Sequence, residues 1–577
     1  MKFFHVYDER ANEGLYKNGL LNKDSGFKIQ HDFPIPDDVK FNVAAKKDGK
    51  FYNMIKETGM PFYVDRIAGG TTYHEYDFDF ALIDEYRKLL GDWFLGFQLH
   101  ESGSNRRQAE WAKLFRVFGH GGPYDPKEVR EKLMSKMAKL PDGTPLPGFS
   151  QGTPEEYAKM TYAETWQEYV REMIELFNKN LRLTNNAIIP CDSYYLATKL
   201  QADLGMKTFM PEVGDQIPLM SISVATARGA AAKKGMTWGT YYETWREVPG
   251  VGYTMPCLNP SPINDWYLTQ DLFGDDFTTH GENGGSSRLL QKRIFYLSYM
   301  SGADYMSEEW GLKCCYLDFE DYALSAYGRV KKEFIDTTQE MGNMKAVVPF
   351  AIVLPKKYSC IEIPQVFDEY KVGLHRDQYM NSPLSADEKA YFGHVEDVLK
   401  LFYVRDEAGI SGNEGHVITN AAFGNVFDII YEDEADSILK QYEYLIDATK
   451  DGDFAKAKKG SGLKILESGN LDKLGATVTE LIRETMPCYV DSLCWVVSEN
   501  DKGKRFVSIF NNEGNERSLE HGDTVDRTVD KKVTITFKEA ATVKVIKEEL
   551  GDCQLVKVND TTYCATIPAA GFVILEF

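Results

Sequence analysis

Six short apolar runs of this chain carry carboxylates at or near their ends. PFYVDR at 61–66 closes on Asp65 and Arg66, WFLGFQLHE at 93–101 closes on His100 and Glu101, and AIIPCDSYY at 187–195 passes through Asp192. TFMPEVG holds Glu212, MTWGTYYETW holds Glu243, and ADYMSEEWG holds Glu308 and Glu309. Tyr241, Tyr242, Trp245 and Trp310 stand beside them. Acids gathered in one restricted place push each other's pKa values apart, leaving one protonated and one ionised. Cleavage of a glycosidic bond needs that pair: a protonated acid donates to the leaving oxygen, and its ionised partner attacks the anomeric carbon or activates water. Rings beside the acids would offer platforms to sugar faces. Taken singly, a strand-terminal glutamate is a solvated end or a salt-bridge partner, and a lone Tyr or Trp is core. Repetition across six runs is what favours shared chemistry. Glu308 and Glu309 are adjacent, so on a strand they point to opposite faces and at least one turns away from any common site.

Other chemistries leave weaker traces. The ten histidines are dispersed without an HExxH pair, so no zinc site is expected. GHGGP at 119–123 and ENGGSS at 282–287 have neither phosphate-loop nor dinucleotide spacing, and no GxSxG turn presents a serine nucleophile. No cofactor is implied.

Carboxylates can converge only if their strands do. From the N-terminus to about residue 340, apolar runs alternate with helical patterns: KFFHVY, then NEGLYKNGLL; FKIQHDF, then a helix ending near KFYNMIKETG; PFYVDR, then FDFALIDEYRKLLGD. The run continues through WFLGFQLHE, AIIPCDSYY, TFMPEVG, MTWGTYYETW and ADYMSEEWG, each followed by helical spacing. A capping threonine, proline and two glutamates at 153–156 predict a helix start before the amphipathic run to Leu181. Eight strand–helix units predict a (β/α)8 barrel over 1–345, whose strand C-termini meet at one mouth. Gly- and Pro-rich stretches at 102–152 and 248–285 read as insertions on that side. VVPFAIVLP opens a predicted α/β sandwich over 346–485, and alternating strands from CWVVSEN to GFVILEF predict a small β-sandwich over 486–577.

At 577 residues several domains are expected. A formal net charge of −21 repels phosphate backbones, which argues against nucleic acid as a partner and for a neutral substrate. Nine scattered cysteines without a CxxC pair suit a reducing compartment. No run approaches the length of a membrane span, and Asp8, Glu9 and Arg10 interrupt any leader-like start, so a cytoplasmic location away from membranes is expected. Self-association is left open.

GFQLHE and WGTYYETW, in that setting, resemble the strand-four and strand-seven motifs of the clan A barrel glycoside hydrolases. The three-part layout is similar to that of β-galactosidases whose barrel precedes a glutaminase-like domain. The resemblance implies Glu101 as general acid/base and Glu243 as nucleophile of a retaining enzyme, their carboxyls about 5–5.5 Å apart; with Glu308 or Glu212 in place of one partner, an inverting pair about 6.5–9.5 Å apart is the alternative. Exo action on a neutral oligosaccharide is expected. It departs from the clan at His100, where an Asn is usual. Asp65, Arg66, His100, Asp192, Glu212, Tyr241, Trp245, Glu308 and Trp310 are the expected sugar contacts. Two rival classes remain: a sugar-binding barrel without catalysis, and an isomerase or lyase with a divalent metal on Asp192, Glu212 and Glu243.

Overall fold

The computed structural model describes residues 1–7, 9–30, 41–49, 51–68, 78–100, 166–192, 198–215, 217, 219–233, 235–248, 251–256, 277–279, 281–309, 314–318, 320–360, 385–403, 417–418, 423–551 and 553–577. Its largest sheet is built from the expected runs. They are β1 (Lys2–Val6), β2 (Ser25–Gln30), β3 (Phe62–Ala68), β4 (Phe94–His100), β5 (Ile188–Cys191), a sixth stave split into β6 (Thr208–Phe209) and β7 (Glu212–Val213), β8 (Thr237–Tyr242) and β9 (Tyr305–Glu308). The order is β5-β4-β3-β2-β1-β9-β8-β6, with β7 also on β8. The pairs β1/β2, β1/β9, β8/β9, β7/β8, β3/β4 and β4/β5 are parallel. Met210 N–H, between the halves of the sixth stave, donates to Pro190 O of β5 and closes the ring. The fold is a (β/α)8 barrel.

Helices follow the strands: α1 (Glu9–Lys17), α2 (Phe80–Leu90), α3 (Trp166–Leu183), α4 (Thr198–Asp203), α5 (Met220–Ala231), α6 (Arg288–Met300) and α7 (Ala326–Met341). Ser287 and Ser325 cap α6 and α7 by accepting from Leu290 N–H and Gly328 N–H. The helix start expected at 153–156 lies outside the described residues.

The chain divides into two compact units. One is Ile29–Met210 with Lys357–Gly393. Its core is aromatic: Phe97 packs on Phe78, Phe41 and Phe94, and Tyr86 on Phe62. All of β4 is buried. Gly96 lies at φ 108°, and a Cβ there would sit 2.5 Å from Ala187 O. Only glycine permits this approach of β4 to the start of β5, where Phe97 N–H donates to the same carbonyl.

The other unit is Met1–Lys28, Pro211–Lys356 and His394–Phe577. It carries β1, β7, β8 and β9 with α5, α6 and α7. Every residue of α6 except Lys292 is buried, as befits a helix covered on all sides. Phe350–Leu354 opens a parallel four-stranded sheet in the order 427–431, 350–354, 444–447, 465–467. Two antiparallel sheets follow, a five-stranded one ending in Phe572–Glu576 and a four-stranded one around Lys531–Phe537. Met344–Ala346 pairs with Cys494–Asn500, so the chain leaving the barrel first adds an edge to the C-terminal sheet. Among the described residues no helix is long and apolar enough to cross a membrane.

Candidate active site

Three adjacent staves, β7, β8 and β9, deliver carboxylates at their C-terminal ends. Glu212 pairs with Tyr241 across β7 and β8, and Glu308 pairs with Tyr242 across β9 and β8. The ladder continues past the strands. Glu243 N–H donates to Val213 O, and Glu309 N–H donates to Tyr242 O. Glu212, Glu243 and Glu309 are all buried, none more than 3% exposed. A carboxylate oxygen of Glu212 lies within 4.8 Å of one from Glu309. Trp245 Nε1–H donates to Glu309 Oε2 at 2.7 Å.

Room for Glu243 comes from Gly214. A Cβ at that position would stand 2.6 Å from Glu243 Cβ and 2.7 Å from its Oε2. No larger residue fits while the carboxylate keeps its place. Next along, Arg246 and Asp215 form a buried ion pair at 3.3 Å.

The Glu308–Glu309 ambiguity resolves by strand alternation. Glu308, fully buried, turns outward to α7, where Tyr327 Oη and Lys331 Nζ both donate to its carboxylate. Burial and the Glu308 charge hold the Tyr327 hydroxyl well above its ordinary pKa, so it stays protonated and donating. Glu308 is therefore committed to the helix layer, and the inward place at this strand end belongs to Glu309.

In the other unit, Asp65 sits on β3, His100 ends β4 and Asp192 follows β5, exposed by 1%, 2% and 6%. Gln201 Nε2–H on α4 donates to Asp192 Oδ2 at 3.3 Å. Gln98, two residues before His100 and on the same strand face, is buried with its Nε2 at 3.4 Å from Met210 Sδ. Glu101, Trp310 and the side chain of Arg66 lie outside the described residues. Sequence reasoning missed Gly214, Lys331 and Tyr327. A glycine directly after a strand-end carboxylate segment, PEVG, was the one available signal for the first.

Acids at such spacing can bridge a divalent cation. Glu212 and Glu309 are the described residues of this rim that could hold one.

No family model and no curated protein matches the sequence. Solved structures similar to it include α-L-fucosidase isoenzyme 2 from Paenibacillus thiaminolyticus, at 10% identity and TM-score 0.37 over 95% of this chain and 99% of that one. A catalytic mutant of a GH42 β-galactosidase from G. stearothermophilus is similar at 9% identity and TM-score 0.47, covering 100% and 98% of the two chains. An α-amylase from H. orenii is similar at 9% identity and TM-score 0.28, covering 100% and 99%. At such identities and scores these likenesses bring no residue role or substrate to this chain, whose barrel is read from its own strand order.

Proposed function

We propose that the protein is a retaining, exo-acting glycoside hydrolase that cleaves a neutral oligosaccharide or glycoconjugate. Glu243 is the nucleophile and Glu101 the general acid/base. The observation that carries this reading is Glu243 itself. It is a buried carboxylate at the C-terminal end of a barrel strand, with Gly214 opposite keeping space for it. Catalytic groups of (β/α)8 barrels stand at that end of the strands.

In this reading Glu212 and Glu309 flank the nucleophile and bind sugar hydroxyls, with Trp245 orienting Glu309. Glu308, bound to Tyr327 and Lys331, is left out of the site. The stretch 102–152, expected as an insertion, lies outside the described residues, as does much of 248–285.

Replacing Glu243 by Ala and assaying a panel of aryl glycosides tests the assignment. Turnover should fall by about 10⁴-fold or more, since the lost group forms the covalent intermediate. Unchanged turnover on a substrate the parent cleaves removes the nucleophile. A parent that binds saccharides and cleaves none of them is a binding protein instead.

The closeness of Glu212 and Glu309 favours one other reading, metal-assisted isomerase or lyase chemistry. Chelator separates the two. Activity that survives exhaustive chelation belongs to carboxylates alone.

A further inference from the structure

Lys28 has no part in the reaction just assigned, yet it is fully buried and lies inside the barrel. Its place follows from the ladder. Val6 pairs with Lys28 across β1 and β2, and Phe4 pairs with Ser307 across β1 and β9. Two residues further along, Val6 comes level with Glu309. Ser307 in turn pairs with Tyr241, which puts Glu309 level with Glu243. Lys28, Glu309 and Glu243 therefore stand on one tier of the strand ends.

The side chain confirms the direction. Lys28 Nζ lies 3.3 Å from Tyr241 Oη and 5.2 Å from the centre of that ring. Two strands, β1 and β9, separate β2 from β8 in the sheet. Side chains from β2 and β8 can meet only across the concave interior.

A lysine ammonium donates and never accepts, so Tyr241 Oη is the acceptor in this bond. The phenol keeps its own proton for a second partner. Tyr241 faces Glu212 across the β7/β8 ladder and stands two residues before Glu243 on the same strand face. A positive charge and an oriented O–H therefore back a rim of three buried carboxylates. Burying several acids together is costly unless charge and donors compensate them.

We propose that Lys28 and Tyr241 act as one positioning pair for the acidic rim: Lys28 fixes the Tyr241 hydroxyl so that its proton is presented to the carboxylates, keeping Glu243 aligned for attack. The pair rests on the glycosidase reading for its reaction. It adds a lysine on the second strand that neither the strand-end motifs nor the clan resemblance supplied.

The test measures kcat and KM for Lys28→Met, Lys28→Arg, Tyr241→Phe and the double variant Lys28→Met/Tyr241→Phe, on a glycoside the parent cleaves. Each single loss should lower kcat about 100-fold while KM changes little, as expected for a preorganised donor that acts on the reaction rather than on binding. The double variant should be no worse than the poorer single one, because both remove the same device. Lys28→Arg, which keeps charge and donors, should recover most of the loss. A general packing defect would lower the fraction of folded enzyme, would make the two losses multiply, and would not be rescued by arginine. Parental kcat in a folded Lys28→Met enzyme, or multiplicative losses, overturns the pair and leaves the glycosidase reading standing. A parent that cleaves no glycoside removes that reading, and the pair's role falls with it.

Discussion

At the scale of single residues, the candidate site depends on what surrounds Glu243 as much as on the glutamate. Gly214→Ala places a methyl group 2.7 Å from Glu243 Oε2, so the carboxylate must swing or the 212–215 segment must shift. The variant should fold with a melting temperature close to the parent's and lose kcat about 100-fold, the usual penalty for a displacement of an ångström at a reacting group. Circular dichroism melts beside steady-state kinetics check this, and a fully active Gly214→Ala enzyme removes Gly214 from the site. Trp245→Phe keeps an aromatic ring and removes the donor to Glu309, and a KM raised about tenfold with kcat little changed is expected if Glu309 holds sugar hydroxyls. Glu243 and Trp245 were legible because an acid and an indole closing an apolar run are unusual together. Lys28 was not. In FKIQ a lysine between apolar residues reads as the solvent face of a half-buried strand, and only closure of the sheet turns that face into an interior.

At the scale of elements, α7 shows how the barrel anchors a strand end. Tyr327 and Lys331 are four residues apart, hence on one face of the helix, and both reach Glu308. Lys331→Met would leave the Glu308 carboxylate buried without its cation, at a cost of about 3–5 kcal/mol. The double variant Glu308→Gln/Lys331→Met should recover part of that, and urea midpoints of the three proteins measure it. His5 lies on the same outward side of β1. Burial first, and Lys331 second, push its imidazole well below the ordinary histidine value. The unfolded chain takes up that proton near pH 6.5, about its ordinary pKa, whereas the folded chain does so only well below it. The contribution of neutral His5 to stability is therefore full above about pH 6.5 and is lost progressively as pH falls beneath that value. A His5→Gln variant should lose less stability than the parent between about pH 7 and about pH 5, read from the same urea midpoints; an equal loss places the acid sensitivity elsewhere. All eight staves were legible in the sequence, because buried parallel strands leave continuous apolar runs between helical patterns. The break of the sixth into β6 and β7 was not, since Pro211 interrupts pairing without changing the apolar pattern.

At the scale of the molecule, the later sheets are built onto the outer helices of the barrel. Arg228 of α5 pairs with Asp428 at 2.6 Å and donates to Phe427 O, and Tyr442 donates to the same carboxylate at 2.8 Å. Gly229 allows this approach, because a Cβ there would meet Ile429 O at 2.2 Å. On α6, fully buried Arg293 donates to Ala570 O, Lys292 holds Glu549 at 2.8 Å, and Met300 O accepts from Ser498. Sequence patterns located these sheets but could not show that they share a buried helix with the barrel, because polar residues scattered round a helix give no sign of what covers them. α6 is such a helix: its buried Arg288, Gln291, Arg293 and Ser298 are polar residues with protein partners in place of water. A chain ending at Thr485 would strip α6 of its cover, take the acceptor from Arg293 and remove the Cys494–Asn500 partner of Met344–Ala346. Uncovering the buried apolar residues of α6 forfeits about 1.5–3 kcal/mol for each one exposed, a large share of the roughly 5–15 kcal/mol that holds a protein folded. The truncated chain should therefore be insoluble or expanded when expressed, measured as soluble yield and elution volume beside the full chain. A soluble, compact 1–485 fragment with parental turnover would show instead that the barrel closes α6 without help from the C-terminal sheets.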